Sequence, residues 1–209
     1  LKQKYDFSIN GDLICCVPGE TTAVIKSDIT TLLSFPVSHI SLYGLQFEEG
    51  TPLVSKYVPL ADDAQIEILN TAWLLLEKAG FEHYEVSNFA KDKHYCLHNL
   101  VYWNLEQYLG FGPTAESSLG YYELVSLREK ENLKDFLTEP TFAANKLSNT
   151  EAQEEYLLTK LRTKDGIDKA IYRERFKVDF NSIYHESIKE LDNSYYFDTE
   201  KAFSLTEKG

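Results

Sequence analysis

A chain of 209 residues, 43% apolar and 26% charged, is long enough for one large or two small domains with buried cores, and it reads as soluble and globular. A formal net charge of -12 with no run of Lys and Arg argues against a nucleic-acid backbone and against an anionic membrane surface as partner. Apolar runs such as Thr71 to Leu76 fall far short of the roughly 20 residues that span a bilayer, no signal or transit peptide is visible, and three Cys give no disulfide framework, so a reducing cytoplasmic setting is expected.

The chain opens at Leu1 and holds no Met, which suggests an internal piece of a longer protein, or one whose Met positions are substituted and missing. Phe7 to Val17 is a short apolar run with β-branched residues, closed by the turn Pro18-Gly19-Glu20-Thr21-Thr22. Thr22 then caps a helix over Ala23 to Phe35, with Val24, Ile25, Ile29, Leu32 and Leu33 on one face, and a strand follows from His39 to Leu45. This is a βαβ unit with parallel strands, and in parallel sheets ligands lie beyond the carboxyl ends, here Cys15 to Pro18 and Gly44 to Gln46. Asp12 has two readings, a carboxylate satisfied by neighbouring backbone or a ligand contact inside a barrel.

A second helix runs from Asp62 to Ala79, its apolar stripe formed by Ile66, Leu69, Ala72, Trp73, Leu76 and Ala79, and Gly80 ends it as a left-handed cap. Tyr84 to Ala90 alternates as one strand. The segment that follows holds His98-Asn99-Leu100-Val101-Tyr102-Trp103 and then Tyr108-Leu109-Gly110-Phe111-Gly112-Pro113-Thr114-Ala115, an imidazole, an amide and rings ahead of a Gly-rich turn that suits a flat, polar-edged ligand. Its aromatic density fits a ring-stacking site or an ordinary aromatic core. An amphipathic helix covers Asn132 to Leu137, and Pro140 to Asn149 reads as a polar linker. Beyond it come helices over Glu151 to Arg162, Lys169 to Phe176 and Phe180 to Leu191, then two short strands at Tyr195 to Phe197 and Ala202 to Thr206. Three helices and a two-stranded wing form a winged-helix pattern. The recognition helix of such a module would carry Glu186 and Glu190 beside Lys189, so DNA binding fails on sign and a packing or protein-contact role is expected.

Cys15 and Cys16 lack CxxC spacing, and adjacent side chains on a strand point to opposite faces, so both read as small buried hydrophobes. His94, Cys96 and His98 lie two apart and in an extended segment would share a face able to clasp a metal, although a solvated loop explains them equally and no fourth ligand is near. GxSxG, HExxH and Walker motifs are absent.

Taken in order, Asp12-Leu13-Ile14, Pro18-Gly19-Glu20-Thr21, His39 to Tyr43, Glu49-Gly50-Thr51-Pro52, Tyr84 to Ala90, the HNxxYW block from His98 to Trp103, Tyr108 to Gly112 with Ala115, and Leu161-Arg162 with Asp165-Gly166 resemble the oxygen-independent coproporphyrinogen III oxidase family of radical S-adenosylmethionine proteins. The HNxxYW block is similar to the haem-chaperone branch, HemW type. The resemblance implies an α/β fold: the late part of a radical SAM partial (β/α) barrel over residues 1–58, an α+β accessory region with the HNxxYW block over 59–140, and a helical winged-helix-like domain over 141–209. It implies a parent using S-adenosylmethionine and a 4Fe-4S cluster held by CxxxCxxC. That motif is absent here, so these residues alone are expected to do no radical chemistry and to hold no metal.

By the same resemblance Asp12 and Gln46 match strand-end positions near S-adenosylmethionine, Gly112 and Ala115 match a turn in its vicinity, and His98, Asn99, Tyr102 and Trp103 match a block associated with haem. This places the ligand reading of Asp12 first. For His98 a buried structural imidazole bonded to backbone competes. Glu116 stands where the branch more often has His, which replaces an axial-ligand candidate by a carboxylate. The parent is expected to be a haem-binding chaperone with haem or a porphyrinogen as ligand and a haem-accepting protein as partner. The alternatives are a true oxidase that decarboxylates propionates, and a non-catalytic scaffold.

Overall fold

In the computed structural model, which describes residues 7–121, 125–129, 133–138 and 142–209, the chain divides after Cys96 into two units. The first begins with β1 (Asn10–Cys15), α1 (Thr22–Leu33) and β2 (His39–Gly44). The two strands are parallel, in register from Asn10 opposite His39 to Cys15 opposite Gly44, as the βαβ reading requires. The residue at the N-cap of α1 is Thr21 rather than Thr22, and its side chain makes no capping bond. A short helix not foreseen from the pattern, α2 (Pro52–Lys56), starts on Pro, and α3 (Asp62–Lys78) follows.

The expected single strand from Tyr84 to Ala90 is a hairpin, β3 (Glu82–Glu85) and β4 (Asn88–Ala90). The buried Glu85 carboxylate explains the break. It accepts from Ser87 N–H at 3.0 Å and from Asn88 Nδ2 at 2.6 Å, satisfying the turn's donors where a straight strand would leave them. The sheet order is β1-β2-β4-β3, with every pairing after the first antiparallel.

One face of this sheet is dry. Leu13, Cys15, Ile40, Leu42 and Phe89 pack with Ile25 and Ile29 of α1 and Ile68, Ala72 and Leu76 of α3. The buried line on α3 runs through Ile68 as well as Ala72 and Leu76, while Ile66, placed in the stripe from spacing, is exposed. The other face carries Asn10, Asp12, His39, Ser41 and Asn88, which the register sets side by side. The end of α3 closes as a Schellman motif: Gly80 has φ +84°, its N–H reaches Glu77 O at 2.8 Å, and Phe81 N–H reaches Leu76 O at 3.0 Å.

The second unit opens with α4 (Leu97–Trp103) and continues through β5 (Glu116–Leu119), β6 (Val125–Glu129), α5 (Leu133–Thr138) and β7 (Phe142–Lys146). The three strands form an antiparallel sheet in the order β5-β6-β7. The expected linker thus contains a strand; its first residues, Pro140 and Thr141, lie outside the described residues, as does Asn132 at the start of the expected helix. Then come α6 (Asn149–Lys160), β8 (Ile167–Asp168), α7 (Lys169–Phe176), α8 (Phe180–Lys189), β9 (Tyr196–Asp198) and β10 (Ala202–Leu205). The last sheet has three strands rather than two, in the order β8-β10-β9.

Each of these helices starts on a residue that satisfies its free N–H groups. Ser148 and Glu151 form a reciprocal capping box on α6, Asp168 accepts from Ala170 and Ile171 N–H on α7, and Asp179 accepts from Ser182 N–H on α8. The core is aromatic: Tyr172 touches the rings of Tyr156, Phe176 and Phe180 and gives its hydroxyl to Gln153 at 2.6 Å. Burial and the neighbouring Tyr184 hydroxyl push the Tyr172 phenol up, which keeps it a neutral donor.

A Cβ at residue 80 would meet only Lys91 Cε at 3.8 Å, so the cost of Gly80→Ala is backbone strain alone. It should be about 1–2 kcal/mol, read as a shift in the urea midpoint, and Gly80→Asn should lose clearly less.

Candidate functional site

The polar face of the first unit carries one continuous line of hydrogen bonds. His39, 4% exposed, has Nδ1 2.7 Å from Asn10 Oδ1 and Nε2 2.7 Å from the Tyr84 hydroxyl. Asn10 Nδ2 donates to Asp12 Oδ1 at 2.7 Å, and Cys96 N–H donates to the Tyr84 oxygen at 3.1 Å. One proton assignment satisfies all four contacts. Because the Asn10 amide gives its N–H to Asp12, its oxygen must accept from His39 Nδ1–H, which leaves Nε2 to accept the Tyr84 O–H.

Burial pulls the His39 pKa down, against the opposing pull of the Asp12 carboxylate, so the ring is held neutral as that line needs. Burial also pushes the Tyr84 phenol up to about 12. Asp12 itself is exposed and sits within β1 rather than at its end, satisfied on one oxygen by the Asn10 side chain and not by backbone. On the same face Asn88 Oδ1 is buried with no partner among the described residues.

Gln46 is exposed, just past the end of β2, where Leu45 N–H still bonds Cys15 O at 2.8 Å. No hydrogen bond joins Gln46 to Asp12. At the end of β1 the adjacent cysteines do not point apart. Cys16 takes φ +62°, which turns its side chain back until the two Sγ atoms lie 3.8 Å apart, both buried. Burial, the Cys16 sulfur and the Glu20 carboxylate push the Cys15 thiol up to about 12.

The metal arrangement drawn from His94, Cys96 and His98 does not form, because His98 belongs to α4 and not to an extended segment, and His94 Nδ1 bonds Ser8 Oγ at 2.7 Å. Among the described residues no group of three or more His, Cys, Asp or Glu is placed to hold a metal ion.

The HNxxYW block is helical, which puts His98 and Tyr102 one turn apart on one side of α4 and Asn99 and Trp103 one turn apart beside them. His98 is exposed. Its Nε2 lies 3.0 Å from the Tyr102 hydroxyl, and the two rings meet edge to face at 4.9 Å, so the ring is not a buried imidazole tied to backbone. Tyr102 in turn meets Tyr108 edge to face at 4.5 Å. Tyr108 pairs with Ser118 of β5, so the ladder of three rings runs from the helix to the sheet.

The loop between is built on close approaches. Gly110 N–H bonds Ser117 Oγ at 3.0 Å, and a Cβ on Gly110 would lie 2.4 Å from Glu116 O. Gly112 and Ala115 close a turn through Ala115 N–H to Gly112 O at 3.0 Å. Phe111 stands 89% exposed between the two glycines. His39, Tyr84 and Tyr108 were not singled out from the sequence as site residues. His39 and Tyr84 sit in ordinary strand patterns, and only the register shows that they meet.

Residues 147–209 match the HemN C-terminal domain family. The chain is 30% identical over 210 residues to the heme chaperone HemW of Lactococcus lactis subsp. lactis, covering 97% of this chain and 55% of that protein. It is 29% identical over 212 residues to the heme chaperone HemW of Bacillus subtilis, covering 97% and 56%. It thus spans about half the length of the curated relatives it matches. In three dimensions it is similar to the coproporphyrinogen III oxidase HemN of Escherichia coli, a radical SAM enzyme, with a TM-score of 0.78 at 15% identity, covering 99% of this chain and 53% of that one. That likeness establishes a radical-SAM-like α/β fold.

Because His39 is depressed in the folded chain, its neutral form supports stability above the unfolded value of about 6.5, and that support is lost as pH falls below it. Urea midpoints at pH 7.5 and 5.5 should show a loss of at most about 1.4 kcal/mol per pH unit from this one group, and His39→Gln should flatten the slope. An unchanged slope in His39→Gln would assign the acid sensitivity to another group. Gly110→Ala, which forces the loop off Glu116, should cost about 1–3 kcal/mol in the second unit and disturb its near-UV tyrosine dichroism.

Proposed function

We propose, because the chain belongs to the HemW-like radical S-adenosylmethionine family homologous to coproporphyrinogen III oxidase, that the whole protein is a haem-binding chaperone of haem metabolism. The observation that carries this reading is the exposed imidazole of His98 at the head of the ring ladder on α4. An iron porphyrin is flat and apolar with one metal at its centre, and a nitrogen donor set among ring faces suits it. His98 would meet the iron, Tyr102 and Trp103 would offer ring contacts, and Asn99 a polar one. Haem is cargo in this reading, and a haem-accepting protein is the partner.

S-adenosylmethionine is rich in hydrogen-bond donors, and the polar face of the first unit fits it. Asp12 keeps a carboxylate oxygen available beyond its bond to Asn10, and the buried Asn88 Oδ1 is an acceptor in want of a donor among the described residues. On the family resemblance we assign Asp12 and Gln46 of this unit to the cofactor's vicinity. A 4Fe-4S cluster does not fit the donors of this chain. Cys15 and Cys16 are buried and held toward the protonated thiol, and no three ligands converge among the described residues. We assign the cluster to the family's CxxxCxxC motif, outside these residues, and derive no step through it.

The division of labour follows the same reading: residues 1–58 as the late part of a partial barrel, 59–140 as an accessory region, and 141–209 as a winged-helix-like module made of α6, α7, α8 and the β8-β10-β9 sheet. The module is not proposed to bind DNA, since Lys189 on α8 is spent on Glu186 at 2.9 Å. No helix among the described residues is long and apolar enough to cross a membrane, and we place the protein in the cytoplasm. A second reading, an oxidase acting on the propionates of coproporphyrinogen III, is favoured by the fold likeness to the Escherichia coli enzyme.

Hemin titration of the full-length protein, followed in the Soret band, separates them. His98→Ala should weaken binding tenfold or more, about 1.4 kcal/mol, and shift the band. Equal affinity and an unmoved band in His98→Ala, with decarboxylated product from cluster-loaded protein, would sink the chaperone reading in favour of the oxidase.

A further inference from the structure

A buried cation and a half-buried one meet just past the end of α4. Arg175 of α7 is 3% exposed and donates from Nη1 to Asn104 O at 3.0 Å and from Nη2 to Leu105 O at 2.6 Å. Lys160, the last residue of α6, donates to Asn104 Oδ1 at 3.0 Å. The guanidinium lies over the Tyr121 ring, 4.6 Å from its centroid, with Tyr156 and Phe176 at 5.6 and 5.7 Å. Among the described residues no carboxylate bonds Arg175, and its Nε has no partner.

A cation withdrawn from water without a carboxylate is costly, and here the compensation is the negative end of a helix together with aromatic faces. Desolvation depresses both the Arg175 and the Lys160 pKa, which is that cost in another form. On the other side of the contact, α4 has seven residues, too few to hold itself in water. Leu105 turns the chain out of it with φ +54°, the carbonyls of Leu100, Val101 and Tyr102 are taken by the N–H groups of Asn104, Glu106 and Leu105, and the next two carbonyls, those of Asn104 and Leu105, are the ones Arg175 holds. The His98–Tyr102 pair lies within the two turns so held.

We propose that Arg175, assisted by Lys160, is a positioning residue that clamps the C-terminal end of α4 and thereby holds His98 and Tyr102 in place for the flat ligand. The proposal rests on the haem reading for its ligand and on geometry alone for the clamp. Arginine is needed because its planar fork reaches two adjacent carbonyls at once, whereas the ammonium of a lysine is a point donor. The residue touches neither His98 nor Tyr102, so its effect must pass through the helix.

The test is carried out on the full-length protein with hemin as probe, in wild type, Arg175→Lys, Arg175→Met and Lys160→Met, with hydrogen exchange read on peptides spanning residues 97–105 and 180–189. Arg175→Met should weaken hemin binding about tenfold and move the Soret band of the residual complex towards that of free hemin. Arg175→Lys should fall between it and wild type, a partial rescue that a generic loss of stability does not give. Exchange over residues 97–105 should quicken about tenfold while 180–189 stays as in wild type. Unchanged affinity and Soret position in Arg175→Met, or unchanged exchange over 97–105, would overturn the proposal. Where Arg175→Met fails to fold, Arg175→Lys and Lys160→Met carry the same comparison. A wild type that does not bind hemin removes the haem reading and leaves the clamp to be decided by exchange.

Discussion

A sheet with one dry face and one polar face depends on partners for the polar groups it buries, and in the first unit that matching runs through the imidazole of His39, with Asn88 Oδ1 left over among the described residues. Asn10, His39, Tyr84 and the Cys96 amide form a line that terminates on the Asp12 carboxylate, with a side branch from Asn10 Nδ2 to Ser41 Oγ. A buried polar group left without its partner costs about 1–3 kcal/mol, so exchanging either buried member, His39 or Tyr84, strains the other. The dry face needs no such agreement: Ile40, Leu42 and Phe89 answer only to volume and shape against α1 and α3.

The second unit meets the same demand by other means. Its buried cations are matched by carbonyls, by Asp198 in the case of Lys169, and by ring faces, and the Tyr172 hydroxyl is matched by Gln153. Aromatic side chains supply most of the core and also the ladder from His98 to Tyr108, so ring geometry serves both as packing and as ligand surface. Aromatic density in the sequence therefore could not tell the two roles apart.

Where a local rule acts within one element, the sequence was readable. Parallel β1 and β2 with α1 between them, the Gly80 cap and the three closing helices follow from periodicity and capping residues within a few positions. What escaped depends on contacts between distant residues. The Tyr84 to Ala90 run alternates correctly for a strand, yet a carboxylate reaching forward from Glu85 folds it into a hairpin. The HNxxYW block carries only one short turn of apolar spacing, Leu97, Leu100 and Val101, and the contacts of Arg175 and Lys160 with the residues that follow it come from some 70 and 56 positions away. Likewise the rule that neighbours on a strand face opposite ways fails at Cys16, where the chain has already left the strand for the left-handed region.

That last departure has a practical side. Thiol chemistry proceeds through the thiolate, and a group with a pKa of about 12 presents only about one thiolate in a hundred thousand at neutral pH. Cys15 and Cys16 are both buried and both shifted towards the thiol, whereas Cys96 is partly accessible. The chain thus offers an alkylating probe one accessible address, at the residue whose amide closes the His39 line. A fluorophore or spin label attached there would sit beside the Tyr84 hydroxyl and report on that line without any cysteine having to be removed first.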